Sequence, residues 1–513
     1  MFRRALFCLT AAVALNHACI AQSLDHAHID PIFADFQHTD TPGCAIGVEV
    51  PGQERFKAAY GMADLEHSVP VTMDTVFEAG SVSKQFTAAA LLLLVERDKV
   101  SLDDDIRRYL PEMPAYERPI TVRQLLNHTS GLRDWGGVED TAGWPRTTRE
   151  YTHPLVLEIL SRQHALNYPP GEAWSYTNSG YNLAAMLVER VTGTTLQTFM
   201  RKEYFEPLGM TSTQWRDDFR RIVPNRAIAY DPQDKTWRQD MPFEDAYGNG
   251  GLLTTVGDLL KWNENLARGK LHASIFALMQ KPGSLTNGQA IDYGLGLFID
   301  DFQGFTLVNH SGATAGYRSW LGRVPAQEIS IAILCNSSAA NPPDYADEIL
   351  RLILHLQVPN PPAAPANSKP GLYRSTRDRT TVKVEESGGR LTFGGHPVKV
   401  KVRFDGNRML VANHDYGEDV WERVEPWKPA TLSEFVGVYS SQEAETVLRV
   451  AIKDEKLVIL RHPDSEFPML PTYTDAFTSK LGSVQFSRSA DGKIRGFDLG
   501  TSRVWNLHFT RVK

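Results

Sequence analysis

The pattern of apolar positions divides the chain into two unlike stretches. Up to about residue 357, runs that alternate with a period of two are mixed with runs at helical spacing. "GCAIGVEV" and "RFKAAYGMAD" flank Pro51-Gly52 and predict a hairpin. "FTAAALLLLV" lacks a polar face for more than two turns, so it predicts a helix buried nearly all round. In "TVRQLLNH", Thr121 and Gln124 stand where a capping box needs them, and "GYNLAAMLVERVTG" closes at Gly193. "FTLVNHSG", "YRSWLGRV" and "ISIAILCNSS" predict three strands in succession, and "DYADEILRLILHLQ" an amphipathic helix. Strands, helices, strands and a helix in that order give an α+β class: an antiparallel sheet flanked by helices, with a helical subdomain inserted.

The prolines and alanines of "VPNPPAAPANSKPG" cannot hold a core and predict an extended linker over 358–370. From 371 to 513 nearly every segment reads as strand or turn, with hairpins in "TVKVEESGGRLTF" and "VLRVAIKDEKLVIL". Each hairpin follows a similar opening, Gly371-Leu372-Tyr373-Arg374-Ser375 and Gly437-Val438-Tyr439-Ser440-Ser441, which is a weak internal repeat. The expectation for 371–513 is an antiparallel β-barrel region of one or two modules, behind a main domain over 22–357. A chain of 513 residues is long enough for this division.

Composition narrows the function. With 42% hydrophobic and 22% charged residues and a net charge of −7, the chain is that of a globular protein with no basic excess for phosphates, so nucleic acid is not an expected partner. Arg3 and Arg4 precede the apolar run "ALFCLTAAVAL", and small residues Cys19 and Ala21 precede a cut near Ala21, which predicts a signal peptide over 1–21 and a periplasmic or secreted protein. Acylation at Cys19 is disfavoured because Asn16 stands where a lipoprotein signal needs an apolar residue. No later segment reaches the ~20 apolar residues of a membrane helix. Removal of the leader leaves Cys44 and Cys335, both in strand-like runs. Two buried free thiols are expected there, a disulfide being the alternative that spacing alone cannot establish.

The candidate chemistry begins in "EAGSVSKQF". Ser81 and Lys84 form the sole Ser-x-x-Lys pair of the sequence, and positions i and i+3 share a helix face. A lysine at the dry start of a buried helix is disfavoured as a cation by desolvation and by the positive end of the helix dipole, which makes it a base for a nucleophilic serine. The bland alternative, a helix-starting serine with a solvated lysine, has the same spacing. In "NYPPGEAWSYTNSGY", Tyr176 can stay ionised near a cation or relay a proton, and Asn178 can accept from Lys84 and donate to a substrate carbonyl. Tyr247-Gly248-Asn249 has the same form, but "YGNGGL" reads as a glycine turn serving backbone shape. The third element, His310-Ser311-Gly312-Ala313, ends a strand in small residues along whose edge a substrate can lie. There the Ala313 N–H can pair with that of Ser81 as an oxyanion hole, and His310 can supply positive potential or orient Tyr176.

Ser81-x-x-Lys84, Tyr176-x-Asn178 and His310-x-Gly312, in this order, resemble the three-motif signature of the serine β-lactamase and penicillin-binding protein superfamily. "LLNHTSGLRDW", "PPGEAWSYTNSGY", "GNGGLLTTVGDLLKW" and "HSGATAGYRSW" look like the class C β-lactamase branch with its D-aminopeptidase and esterase relatives, over roughly residues 30 to 357. The resemblance implies an acyl-enzyme on Ser81, Lys84 and Tyr176 sharing general-base duty, Asn178 on the substrate amide, Ser81 and Ala313 as oxyanion donors, and no cofactor or metal. The β-rich tail is similar to lipocalin-like accessory domains of D-aminopeptidases. Most β-lactamases of this branch carry lysine where His310 stands. Relatives that bind a free carboxylate tend to carry a hydroxyl where Ala313 stands, although Ser311 keeps one. The expected activity is therefore hydrolysis of amide or ester bonds in D-amino-acid peptides or small esters. β-Lactamase or D-alanyl carboxypeptidase activity and a non-turnover penicillin-binding sensor are the alternatives. A metal reading of His26, His28 and Asp30 fails for want of a further histidine, and the absence of Gly-x-Ser-x-Gly disfavours an α/β-hydrolase elbow.

Overall fold

The computed structural model describes residues 24–146, 148–413, 417–427, 431–462 and 464–512, so the expected signal peptide lies outside the described residues. Six strands form the central sheet: β1 (Cys44–Glu49), β2 (Phe56–Tyr60), β3 (Phe298–Phe302), β4 (Phe305–Thr314), β5 (Tyr317–Val324) and β6 (Ile329–Cys335), paired antiparallel in the order β3-β4-β5-β6-β1-β2. The early hairpin thus adds to the strands predicted from residues 305 to 338.

Strand β6 is buried on both faces, which is why its sequence is continuously apolar rather than alternating. Ile331 and Ile333 pack with Ile46 and with helix Pro342–Leu354, whereas Ala332 and Leu334 pack on the opposite side with helices Ser83–Glu96 and Val256–Arg268. We name the four helices of this region used below α1 (Ser83–Glu96), α2 (Ser179–Thr192), α3 (Val256–Arg268) and α4 (Pro342–Leu354). Residues Ser83 to Leu94 of α1 are all buried, as the unbroken apolar run predicts. The Thr121–Gln124 capping box has both of its bonds, and Gly193 ends α2 with φ of 67°.

The expectation of free thiols is corrected: Cys44 and Cys335 form a disulfide. They stand directly opposite each other in the β1–β6 register, with Cα atoms 4.1 Å apart. That proximity arises from pairing across 291 residues, which local pattern does not reveal.

Beyond α4, residues 358–370 hold no helix or strand, and the rest of the chain forms two antiparallel sheets of seven and nine strands. Both share one topology. The opening strand, Gly371–Ser375 or Gly437–Ser441, pairs with the next strand on one side and with the last strand of its own sheet on the other. Successive hairpins then run outward in both directions, so each sheet is a meander curled toward closure, nearly closed in the nine-stranded case. The sequence repeat has a structural counterpart: Tyr373 and Tyr439 are fully buried, and each hydroxyl donates to the carbonyl four residues earlier, Lys369 O at 2.8 Å and Phe435 O at 2.7 Å.

The nine-stranded sheet is docked on the helical subdomain through buried polar contacts. Arg133, only 1% exposed, donates to Glu443 at 2.8 Å and to the Asn506 carbonyl at 2.6 Å. Gln163 Nε2 donates to the Glu443 carbonyl at 2.8 Å.

Candidate active site

The chain turns from the short strand Phe77–Glu78 through a 3₁₀ turn, Gly80–Val82, directly into α1. Between residues 75 and 94, Ser81 alone is not buried. Four contacts hold the turn. Glu78 is fully buried against Arg216, with contacts of 2.8 and 3.1 Å. Ser83 Oγ donates to the Gly80 carbonyl at 2.6 Å and accepts from the Leu252 N–H at 3.1 Å. The Ala79 carbonyl accepts from Ser319 Oγ on β5 at 2.7 Å. A Cβ on Gly80, whose φ is +48°, would lie 2.7 Å from the Ala313 nitrogen, so glycine allows the turn to press against β4.

Lys84, in the first turn of α1, has no solvent exposure. Its Nζ lies 3.1 Å from Ser81 Oγ, 2.9 Å from Asn178 Oδ1 and 2.8 Å from the Asn249 carbonyl. Burial, followed by the positive charges of Arg503 and Arg146, holds its ionisation well below the usual lysine range, against the opposing pull of Asp134. As a neutral amine, Lys84 has two N–H groups for Asn178 and Asn249 and one lone pair for the proton of Ser81.

Tyr176 lies on the other side of this group, its ring centroid 4.8 Å from Lys84 Nζ. Burial pushes its phenol well above the usual tyrosine range, and Arg503 and the Ser81 hydroxyl oppose this only in part. The expected phenolate option is therefore corrected: the resting Tyr176 holds its proton. Behind it stands His128, fully buried, its ring centroid 4.3 Å from that of Tyr176 and its Nδ1 accepting from the Thr177 N–H at 3.3 Å. Burial holds its ionisation well below the usual histidine range, so His128 is neutral.

Asn178 precedes α2, and its backbone N–H donates to Asp134 at 2.7 Å. Asn178 lines the cavity, and with Oδ1 committed to Lys84 its amide N–H₂ is the group it has left to offer a substrate.

Strand β4 runs for ten residues, but β3 pairs only with its first five, Phe305 to Asn309. The edge from His310 to Thr314 is left open. Because β4 and β5 close on Thr314↔Tyr317 across a two-residue loop, the ladder alternation turns the Ala313 N–H away from β5 and toward that open edge. Gly312 is required here, since a Cβ would meet the Ala79 carbonyl at 2.1 Å and Ser319 Oγ at 2.3 Å. Ser311 and Gly312 line the same cavity.

For His310, the positive-potential role is corrected. The imidazole is 1% exposed, and burial lowers its ionisation to about 3. Its Nδ1–H donates to the Ser311 carbonyl at 2.6 Å, so Nε2 is the acceptor for the Tyr293 hydroxyl at 3.1 Å. It is a neutral wall residue, 6.0 Å from the Tyr176 ring between centroids.

All eight sequence-predicted residues thus meet at one place. Ser81, Tyr176, Asn178 and His310 to Ala313 line a cavity of about 550 Å³, and Lys84 lies beneath Ser81. A larger groove of about 820 Å³, near Pro154, Leu157 and Met186, contains none of them. Sequence reasoning missed Asn249, whose carbonyl binds Lys84 in the turn read as serving only shape. It also missed Asp134, His128, Arg146 and Arg503. His128 lies within the quoted word "LLNHTSGLRDW", a signal that was available. Among the described residues, Asp64, Glu66 and His67 form the sole group able to share a metal; two of them are exposed, and Asp64 is paired with His67 at 2.7 Å.

This geometry agrees with comparison to known proteins. A family model for Beta-lactamase matches residues 29–356, and the chain belongs to that family. It is a serine hydrolase of the β-lactamase and penicillin-binding protein type. It is 28% identical over 342 residues to Penicillin-binding protein 4* of Bacillus subtilis, covering 62% of this chain and 73% of that protein. It is 25% identical over 519 residues to the D-aminopeptidase of Brucella anthropi, covering 93% and 96%. The D-amino acid amidase of Ochrobactrum anthropi SV3, solved with L-phenylalanine, superposes with a TM-score of 0.55 at 26% identity, over 64% of this chain and 99% of that one.

Proposed function

We propose that the protein hydrolyses amide or ester bonds of D-amino-acid derivatives or small esters through an acyl-enzyme on Ser81. The observation that carries this reading is the fully buried Lys84 amine 3.1 Å from Ser81 Oγ. Lys84 takes the Ser81 proton as Oγ bonds to the substrate carbonyl carbon. The oxyanion forms between the N–H groups of Ser81 and Ala313, and Asn178 holds the substrate amide. Tyr176, which keeps its proton at rest, gives it to the leaving nitrogen or oxygen as that bond breaks, and is reprotonated from Lys84. Water then attacks the ester by the reverse order of proton transfers.

Three observations favour D-amino-acid chemistry over penicillin hydrolysis: histidine at 310, Ala313 without a hydroxyl, and a D-aminopeptidase relative that matches nearly the whole chain. Export to the periplasm belongs to the same proposal, supported by the leader-like sequence and by the Cys44–Cys335 bond, which suits an oxidising compartment. The test is a screen of the purified protein against neutral N-acetyl-D- and N-acetyl-L-aminoacyl p-nitroanilides, p-nitrophenyl esters and a fluorescent penicillin. Multiple turnovers with D over L derivatives are expected. Preference for L derivatives would remove the stereochemical part, and stoichiometric penicillin labelling without turnover of any compound would make the protein a sensor.

A further inference from the structure

The loop of residues 501–506 joins the last two strands of the nine-stranded sheet, Ile494–Gly500 and Leu507–Arg511, and it is built into the hydrolase region. Val504 is fully buried. Asn167 grips the loop backbone twice, donating to the Arg503 carbonyl at 3.0 Å and accepting from the Trp505 N–H at 2.9 Å. The same Arg503 carbonyl accepts from the N–H of Asp134 at 3.2 Å, and Asp134 is the residue that anchors Asn178. Arg377, on the seven-stranded side, lies 4.5 Å over the Trp505 ring and donates to the carbonyl of Trp174 in the cavity wall.

These contacts deliver one side chain to the cavity. The Arg503 guanidinium lies 4.8 Å from the centroid of the Tyr176 ring and is exposed to the cavity mouth. Among the described residues, Arg146 and Arg318 are the other charged groups of the lining, and no Asp or Glu joins them. Arg146 is engaged by both carboxylate oxygens of Glu244, and Arg318 donates to the carbonyls of Ala315 and Tyr317 at 2.7 and 2.8 Å. Arg503 has no carboxylate within 4 Å among the described residues, so its planar fork is the uncommitted cation of the cavity. In a chain of net charge −7, the lining of this cavity thus carries guanidinium groups and no carboxylate. A substrate ammonium at Arg503 would meet an unpaired guanidinium and no carboxylate of the lining, whereas a carboxylate would meet a free bidentate donor.

We propose that Arg503, carried into the cavity by the C-terminal sheet, is a specificity-determining residue that binds a carboxylate of the substrate, so that the favoured D-amino-acid derivatives bear a negative charge near the scissile bond and those with a free ammonium there are disfavoured. This rests on the hydrolase reading of Ser81. It deepens that reading by naming the substrate class.

The experiment uses N-succinyl-, N-acetyl- and unblocked D-phenylalanine p-nitroanilide, which share the scissile anilide and carry a negative, no and a positive charge on its amino side, with the aromatic group chosen to suit the Trp174 and Phe298 wall. The wild type should rank them anion, neutral, cation by kcat/KM. Arg503→Gln should reduce the anion-to-neutral ratio at least about tenfold, Arg503→Lys should restore part of it, and Arg503→Glu should invert the order of anion and cation. An unchanged ratio in Arg503→Gln and Arg503→Glu, or a wild-type preference for the cation, overturns the proposal. A second arm needs no turnover: calorimetric binding of N-succinyl-D-phenylalanine to Ser81→Ala protein should weaken about tenfold on adding Arg503→Gln, and equal affinity overturns the proposal. If the neutral anilide and esters are not hydrolysed while this binding difference holds, the hydrolase reading falls and the anion site stands.

Discussion

Replacement of Lys84 by alanine is expected to slow acylation of Ser81 at least ~10²-fold, the usual contribution of a positioned general base. The side chain lies in the first turn of a helix with no solvent exposure, so the variant also leaves Asn178 Oδ1 and the Asn249 carbonyl without the donor they share. Circular dichroism and the thermal midpoint, measured beside stopped-flow acylation, separate lost chemistry from lost fold. The pH dependence supplies an independent readout. Lys84 works only as a free amine, and its ionisation is lowered by burial and by Arg503, so activity should fall as pH drops through that lowered value. Arg503→Gln removes one of the charges that lower it, so the acid limb should move to higher pH. His310 should add no inflection between about pH 5 and 9, because it ionises at about 3. A near-normal rate in Lys84→Ala would pass the role of base to Tyr176.

Gly312→Ala is expected to cost about 10²–10³-fold in kcat, with a smaller change in KM. The new methyl would fall 2.1 Å from the Ala79 carbonyl and 2.3 Å from Ser319 Oγ, two groups already bonded to each other at 2.7 Å. Neither is the far end of a flexible chain, so β4 must retreat from the turn that carries Ser81. The Ala313 N–H retreats with it, and removal of one oxyanion donor costs ~2.7–4 kcal/mol of transition-state stabilisation. Steady-state kinetics on the neutral anilide read this directly. Wild-type kcat in Gly312→Ala would show that β4 does not supply the oxyanion donor.

Much of the nucleophile's surroundings was legible because it is encoded locally. The apolar run after Lys84 implies a dry helix start, and a dry helix start implies a depressed lysine. The small residues after His310 imply an open strand edge. What sequence could not supply depends on pairing across long separations. Cys44 and Cys335 meet because β1 and β6 are neighbours, a fact of sheet order. Asn249 reaches Lys84 from 165 residues away through a backbone carbonyl, an atom every residue has, so no side-chain pattern marks it. Arg503 is one exposed arginine among many in the sequence, and only docking of the last hairpin against Asn167 and Asp134 brings it to Tyr176. The charge of His310 was misread because a histidine at a strand end gives no sign of how completely Tyr293, Phe298 and Tyr176 enclose it.

The most direct measurement of the central claim is the intact mass of the protein, followed by peptide mapping, after acid quench during turnover of a p-nitrophenyl ester. One acyl group should appear on the peptide that contains Ser81, be absent from Ser81→Ala protein, and form at least ~10²-fold more slowly in Lys84→Ala. An acyl group on another residue, or ester turnover undiminished in Ser81→Ala, would contradict it.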